Sequence, residues 1–193
     1  MFFPEDMNFE YFFFSTYPGY FLQVFPIALI AAFLDWKRHK KTAMPNSKRF
    51  WGAVFVCYVT GLLCLVLALD MVGDLWFILL YRDLSCISTR FFVLDFDFEL
   101  HFLARMTSEN LFNLLMFLPF GVLYPLSRQK TAWGKTLLAG LVLVAGIELF
   151  QPIFGRAFDV NDVVLNMLGV GLSTTLFFLF LSLATRAKRK ETA

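Results

Sequence analysis

Histidine occurs only twice in these 193 residues and cysteine only three times, which leaves little for chemistry that depends on either. Cys57 and Cys64 share one apolar run, seven residues apart, or roughly 10 Å along a helix axis. That is too far for a disulfide. Cys86 stands alone, and no metal-ligand or redox spacing is present, so neither a metal nor a cofactor is expected. Internal repeats are also absent, and with them the paired broken helices common in secondary transporters. A formal net charge of +2 does not single out nucleic acid as a partner. The opening "MFFPEDMNFEYFFFSTYP" is acidic where a cleavable signal peptide is basic. The amino terminus is therefore expected to be translocated as it stands, or to lie along the interface on its Phe and Tyr residues.

What the chain has in abundance is apolar surface. Hydrophobic residues make up 59% of it, mean hydropathy is +0.66 and 26 residues are Phe, against roughly 45–50% apolar residues in soluble domains. The excess is gathered into runs at 18–34, 50–69, 108–126, 132–153 and 160–184, each with little or no charge. As helices these cross about 30 Å of hydrocarbon. Lys and Arg are distributed unevenly between the connections. Thirteen fall in the segment 35–49, the segment 127–135 and the tail, and four (Arg82, Arg90, Arg105 and Arg156) fall on the other side. This bias places the amino terminus outside and the carboxyl terminus in the cytoplasm. The expectation is an all-α polytopic membrane protein, a five-helix transmembrane bundle forming one unit over 1–193, whose basic clusters also meet anionic lipid heads.

The outer region 70–107 is longer than a connection requires. It contains "LWFILLY", too short to span and suited to an interfacial or re-entrant element. It also contains "LDFDFEL", where Asp95, Asp97 and Glu99 alternate with apolar residues. Period two is the mark of a half-buried strand, and a short extended segment pressing Phe96 and Phe98 on the membrane surface is expected; a solvated acidic loop is the alternative. The third span opens at Thr107 or Ser108, either able to cap it, and Pro119 with Gly121 predicts a kink near its middle. Gly169 and Ser173 in the fifth span have the small-xxx-small spacing of close helix approach.

Polar residues concentrate where the last three spans meet the outside. Asn110 and Asn113 lie on one stripe of the third span. Glu148 and Gln151 share a face at the end of the fourth. Arg156 is in the connecting loop, and Asp159, Asp162 and Asn166 form a stripe entering the fifth. A short loop makes the fourth and fifth spans antiparallel neighbours, so their stripes can face each other. A carboxylate at such a depth is expected to face the bundle interior with a partner, and Arg156 is the expected partner of Glu148. Plainer roles are open for each residue: Asp159 and Asp162 as helix caps, Glu148 with Arg156 as a clamp, Asn113 as interhelical glue, Gly169 as a packing glycine.

"NLLMFLPFG", together with the later Glu148, Gln151, Arg156, Asp159, Asp162, Asn166 and Gly169, resembles the VanZ-like family of bacterial membrane proteins, whose founding member is associated with resistance to the glycopeptide teicoplanin. The motif residues occupy 108–172; no family motif stands out in 1–107, and 173–193 holds the end of the fifth span and a basic tail. The resemblance implies a bacterial cell-membrane protein acting at the envelope. With the polar cluster, it predicts an outward-facing cradle for the head group of an anionic membrane lipid or lipid-linked wall precursor: Arg156 on phosphate, the amides on sugar or amide groups, Glu148 and Asp162 orienting Arg156 or meeting cationic groups. Two other readings stand beside it. One is an enzyme using the carboxylates for a hard cation or for acid–base work on a lipid-linked substrate, although no His, Ser or Cys nucleophile accompanies the cluster. The other is an interaction subunit docking on a membrane protein partner. In a cysteine-free background, Asp95→Cys is expected to react with a membrane-impermeant maleimide on intact cells and Lys130→Cys to be shielded; the reverse pattern would invert the topology.

Overall fold

The computed structural model describes residues 17–41, 44–85, 87, 91–93 and 95–191; the amino-terminal aromatic segment, Cys86 and Arg90 lie outside them. Among the described residues the chain forms α1 (Tyr17–Arg38), α2 (Asn46–Val66), a short α3 (Leu69–Tyr81), α4 (Ser108–Ser127), α5 (Trp133–Phe150) and α6 (Val160–Glu191). α2, α4, α5 with its following turn, and α6 are each long and apolar enough to cross a membrane. The first expected span falls within α1, which carries Pro26 inside it. "LWFILLY" is the second half of α3, a 13-residue helix of about 20 Å, shorter than a span.

Local chemistry sets the helix ends. Thr107 caps α4, its Oγ1 accepting from Asn110 N at 3.2 Å. α2 stops where Ala68 leaves helical geometry, and α3 stops at Arg82, whose φ of 54° is left-handed. α5 tightens into a 3-10 turn (Gln151–Phe154) at Pro152, and Gly155, at φ 84°, reverses the chain; a positive φ is cheap only for glycine. α6 runs straight into the basic tail, ending at Glu191 rather than near 184.

α4 and α6 form the most intimate pair; α2 packs on α4, α5 on α6, and α1 on α2. In hydrocarbon, apolar burial does not drive helices together, so close approach through small residues matters more. A methyl group on Gly169 would collide with Leu114 O of α4, and one on Gly121 would collide with Ser173 and Thr174 of α6. The expected Gly169–Ser173 pair lies at this seam, where Ser173 Oγ also donates to Gly169 O at 2.8 Å. Leu62, Val66, Phe117, Phe120, Val144, Ile147 and Val170 close the core. Outward, Leu138, Val142, Phe180 and Leu183 are more than half exposed, a surface suited to lipid and ill suited to water. Side chains also tie the helices: Tyr58 Oη donates to Met116 O at 2.8 Å and Lys48 Nζ to Leu126 O at 3.0 Å.

The extended segment expected in "LDFDFEL" exists, in a different setting. β1 (Phe96–Asp97) pairs in parallel with β2 (Phe158–Asp159), Phe96 opposite Phe158 and Asp97 opposite Asp159. The ladder is preceded by Val93 N donating to Pro152 O at 2.9 Å and Phe158 N to Asp95 O at 2.9 Å. Phe96 and Phe98 lie on one side, as period two requires, and both rings contact Phe158, at 6.0 and 5.7 Å between centroids. Their inner partner is thus the α5–α6 connection, because that loop has unpaired backbone groups to satisfy and a ring to stack on.

Gly169→Ala is expected to lower the unfolding midpoint in detergent by the equivalent of about 1–3 kcal/mol. Gly171→Ala, two residues on and facing open space, should leave it unchanged or slightly raised; equal effects would deny the seam its role.

Candidate functional site

Glu148 sits in the last turn of α5 with no exposed surface, beside Gln151 at 1% and Asn166 of α6 at 2% exposure. A carboxyl group removed from water must be met by donors. Asn166 Nδ2 donates to Glu148 Oε1 at 3.4 Å. With its amide in the orientation that satisfies both ends, Gln151 Nε2 donates to Glu148 Oε2 at 2.9 Å and to Ala157 O at 3.0 Å. The facing of the two stripes across the α5–α6 hairpin is therefore direct contact. A second link crosses to α4, where Asn113 Nδ2 donates to Asp162 Oδ1. Glu148, Asp162, Asp159 and Glu109 stand within electrostatic reach of one another or of Arg156.

Arg156 is not paired with Glu148, as had been expected. Its Nη1 donates to Val66 O at 3.0 Å, and its backbone N to Gln151 O at 3.0 Å. Val66 is the last residue of α2, so its carbonyl has lost the intrahelical donor that a continuing helix would supply. A cation at a helix carboxyl end is also favoured by the helix dipole. The loop arginine thus closes the end of α2, and that contact keeps the guanidinium outside the buried carboxyl knot. It is half-buried, and the bond to Val66 is the single hydrogen bond its side chain makes among the described residues. A guanidinium has five N–H donors, so most remain uncommitted.

Asp159 is the cap that was one of its two expected roles: its Oδ1 accepts from Asn161 N at 2.7 Å, in the first turn of α6. Asn110 is placed apart from the cluster. Its Nδ2 donates to Arg105 O at 3.3 Å, which closes the turn leading into α4. Of the eight sequence-derived residues, Glu148, Gln151, Asp162 and Asn166 form the buried layer, half-buried Asn113 bonds to it from α4, and Arg156 and Asp159 form its half-exposed outer layer.

Two participants escaped the sequence reading. Asn161 is buried, and it joins the cluster to the outer segment: Nδ2 donates to Glu99 O at 2.7 Å and to Asp159 Oδ1 at 2.8 Å, and Oδ1 accepts from Phe102 N at 3.3 Å. It lies off the stripe of Asp159, Asp162 and Asn166, and only its position in the first turn of α6 marks it. Glu109, four residues before Asn113 and so on its face, is half-buried and within electrostatic reach of Arg156. Beyond Asn161 the segment is acidic and exposed. There the Glu99 N–H bonds Asp97 Oδ1 at 2.9 Å and holds that carboxyl below the usual carboxylate range, with a smaller contribution from His101 Nε2 at 3.1 Å from Oδ2.

Long apolar helices around a buried polar knot define a polytopic helical membrane protein. The VanZ/LLP1 family model matches residues 2–181, and the chain belongs to the VanZ-like family. The match extends well beyond the motif-bearing stretch 108–172, taking in the first two long helices and the outer region. No curated protein and no solved structure matches the chain.

Asn161→Ala would leave the Glu99 carbonyl and Phe102 N–H without partners, at about 1–3 kcal/mol. Limited proteolysis of the outer segment in detergent is expected to quicken while helical content is kept; wild-type cleavage rates would show that Asn161 does not hold it.

Proposed function

We propose that the cluster at the α5–α6 turn is an extracytoplasmic site for the head group of an anionic membrane lipid or lipid-linked wall precursor, and that this is the route to glycopeptide resistance of the kind associated with the family's founding member. The observation that carries the reading is Arg156: a half-buried guanidinium anchored by one bond to Val66 O, with its other donors uncommitted. A planar fork of that kind suits phosphate oxygens, bound in pairs. The Lys and Arg distribution puts this end of the bundle outside, where wall precursors are displayed.

The surrounding carboxylates refine the ligand. Glu109, Asp159 and Asp162 near a single cation disfavour a bare phosphate, and they favour a head group that also carries amide or amino groups. Gln151, Asn166 and Asn113 are already committed to Glu148 and Asp162; their part is to hold the helices so that Arg156 and Asp159 meet the ligand. The acid–base reading draws less support, because both Glu148 oxygens are engaged by amide donors.

Native mass spectrometry of the gently purified protein tests the proposal. Wild type is expected to carry a phosphate-bearing lipid that Arg156→Ala loses by about tenfold or more, the scale of one charge-assisted hydrogen bond, and cells expressing Arg156→Ala should lose any teicoplanin tolerance that wild type confers. Identical lipid in both proteins would return Arg156 to the structural task of closing α2.

A further inference from the structure

Away from the polar cluster, a groove of about 850 Å³ runs between α2 and α5, backed by α4. Val59 and Leu63 line one wall, Leu138 and Val142 the other, and the only side chains with polar groups along it are Tyr124, Arg128 and Lys135. Leu138 and Val142 are 62% and 66% exposed, so the groove opens sideways, toward the hydrocarbon. Both cations stand at one end, on the α4–α5 connection and the first turn of α5. On α5 the lining runs from Lys135 to Phe150, about 22 Å at 1.5 Å per residue. One leaflet's share of a 30 Å hydrocarbon core is about 15 Å.

We propose that this groove holds an acyl chain of an anionic phospholipid, with the lipid phosphate seated between Arg128 and Lys135. Length and chemistry agree: an apolar channel of at least leaflet depth is joined at one end, and only there, to two positive charges. The Arg128 guanidinium lies 5.0 Å from the Tyr124 ring centroid, a cation–π contact that keeps it at the mouth of the groove. Neither cation pairs with a carboxylate among the described residues. A transmembrane helix of a partner protein would fit the apolar wall, but it gives no reason for two unpaired cations at one end. The Lys and Arg distribution places that end at the cytoplasmic leaflet, where anionic lipids raise the local negative potential. The site is thus at the end of the bundle opposite Arg156 and does not depend on the head-group site.

Photo-crosslinking tests this directly. Full-length protein is reconstituted in vesicles carrying either phosphatidylglycerol or phosphatidylcholine with a photoactivatable group in the acyl chain, and adducts are mapped by peptide mass spectrometry. Phosphatidylglycerol adducts are expected on the α2 and α5 groove walls, in excess over phosphatidylcholine. The excess should fall about fivefold for each cation removed in Arg128→Ala and Lys135→Ala, survive in the charge-keeping Arg128→Lys, and be untouched by Arg156→Ala. Val142→Trp, which fills the groove from its lipid side, should abolish the adducts while the protein remains folded. Equal labelling by the two lipids, adducts spread evenly over the bundle, an unchanged excess in the double alanine variant, or a co-purifying protein crosslinked in the groove would each overturn the proposal.

Discussion

A carboxyl group with no access to water, in a helix built to sit in hydrocarbon, governs much of this molecule. Glu148 cannot be left without donors, and the turn after α5 offers Gln151. A further side-chain donor comes from Asn166, which fixes the rotation and height of α6 against α5. Once α6 is set, Asp162 faces α4 and takes the amide of Asn113. Three helices are thereby registered by amide donors to two acids, Gln151 and Asn166 on Glu148 and Asn113 on Asp162. Such bonds between membrane helices are individually modest, about 1 kcal/mol. Their value here is directional: apolar packing alone lets helices slide and rotate, and this knot does not.

The same constraint explains the loop. With Gln151 committed to Glu148 and to Ala157 O, the chain after α5 is drawn tight, turns at Gly155 and presents Arg156 toward α2. The arginine is used there because α2 ends with an orphaned carbonyl. An ion pair with Glu148 would have needed the guanidinium to enter the buried layer and lose its hydration, a cost that amide donors avoid. The result is a two-layer arrangement, neutral amides inside and a half-exposed cation outside. That separation commits the amides to holding the helices and leaves most of the Arg156 donors uncommitted.

Around the knot, the outer segment acts as a clasp. β1 lies along β2, and Asn161 ties Glu99 and Phe102 to the start of α6. The segment therefore reports on the site, since anything that moves the α5–α6 turn moves β1 with it. At the other end of the bundle the constraint is looser: α2 and α5 stand apart, leaving the apolar groove with Arg128 and Lys135 at its mouth.

Much of this was legible in the residues alone. Long uncharged runs require helices wherever backbone groups find no water, so the four long spans and the helical first segment follow from composition and length. Period two in "LDFDFEL" pointed to an extended segment, realised at Phe96–Asp97, and the spacing of Gly169 and Ser173 marked a close helix approach without naming the partner helix. Glu148, Gln151, Asp162 and Asn166 could be brought together from helical spacing and a short loop, because antiparallel neighbours face each other whatever their exact geometry. Partner choice was not legible. Whether Arg156 meets Glu148 or the end of α2, whether Asn110 turns inward or back to Arg105 O, and that Asn161 is the residue binding the outer segment all depend on where one helix ends relative to another, ninety residues away in the case of Val66. Local periodicity fixes the face on which a side chain lies; only the packed bundle determines which orphaned group stands opposite it.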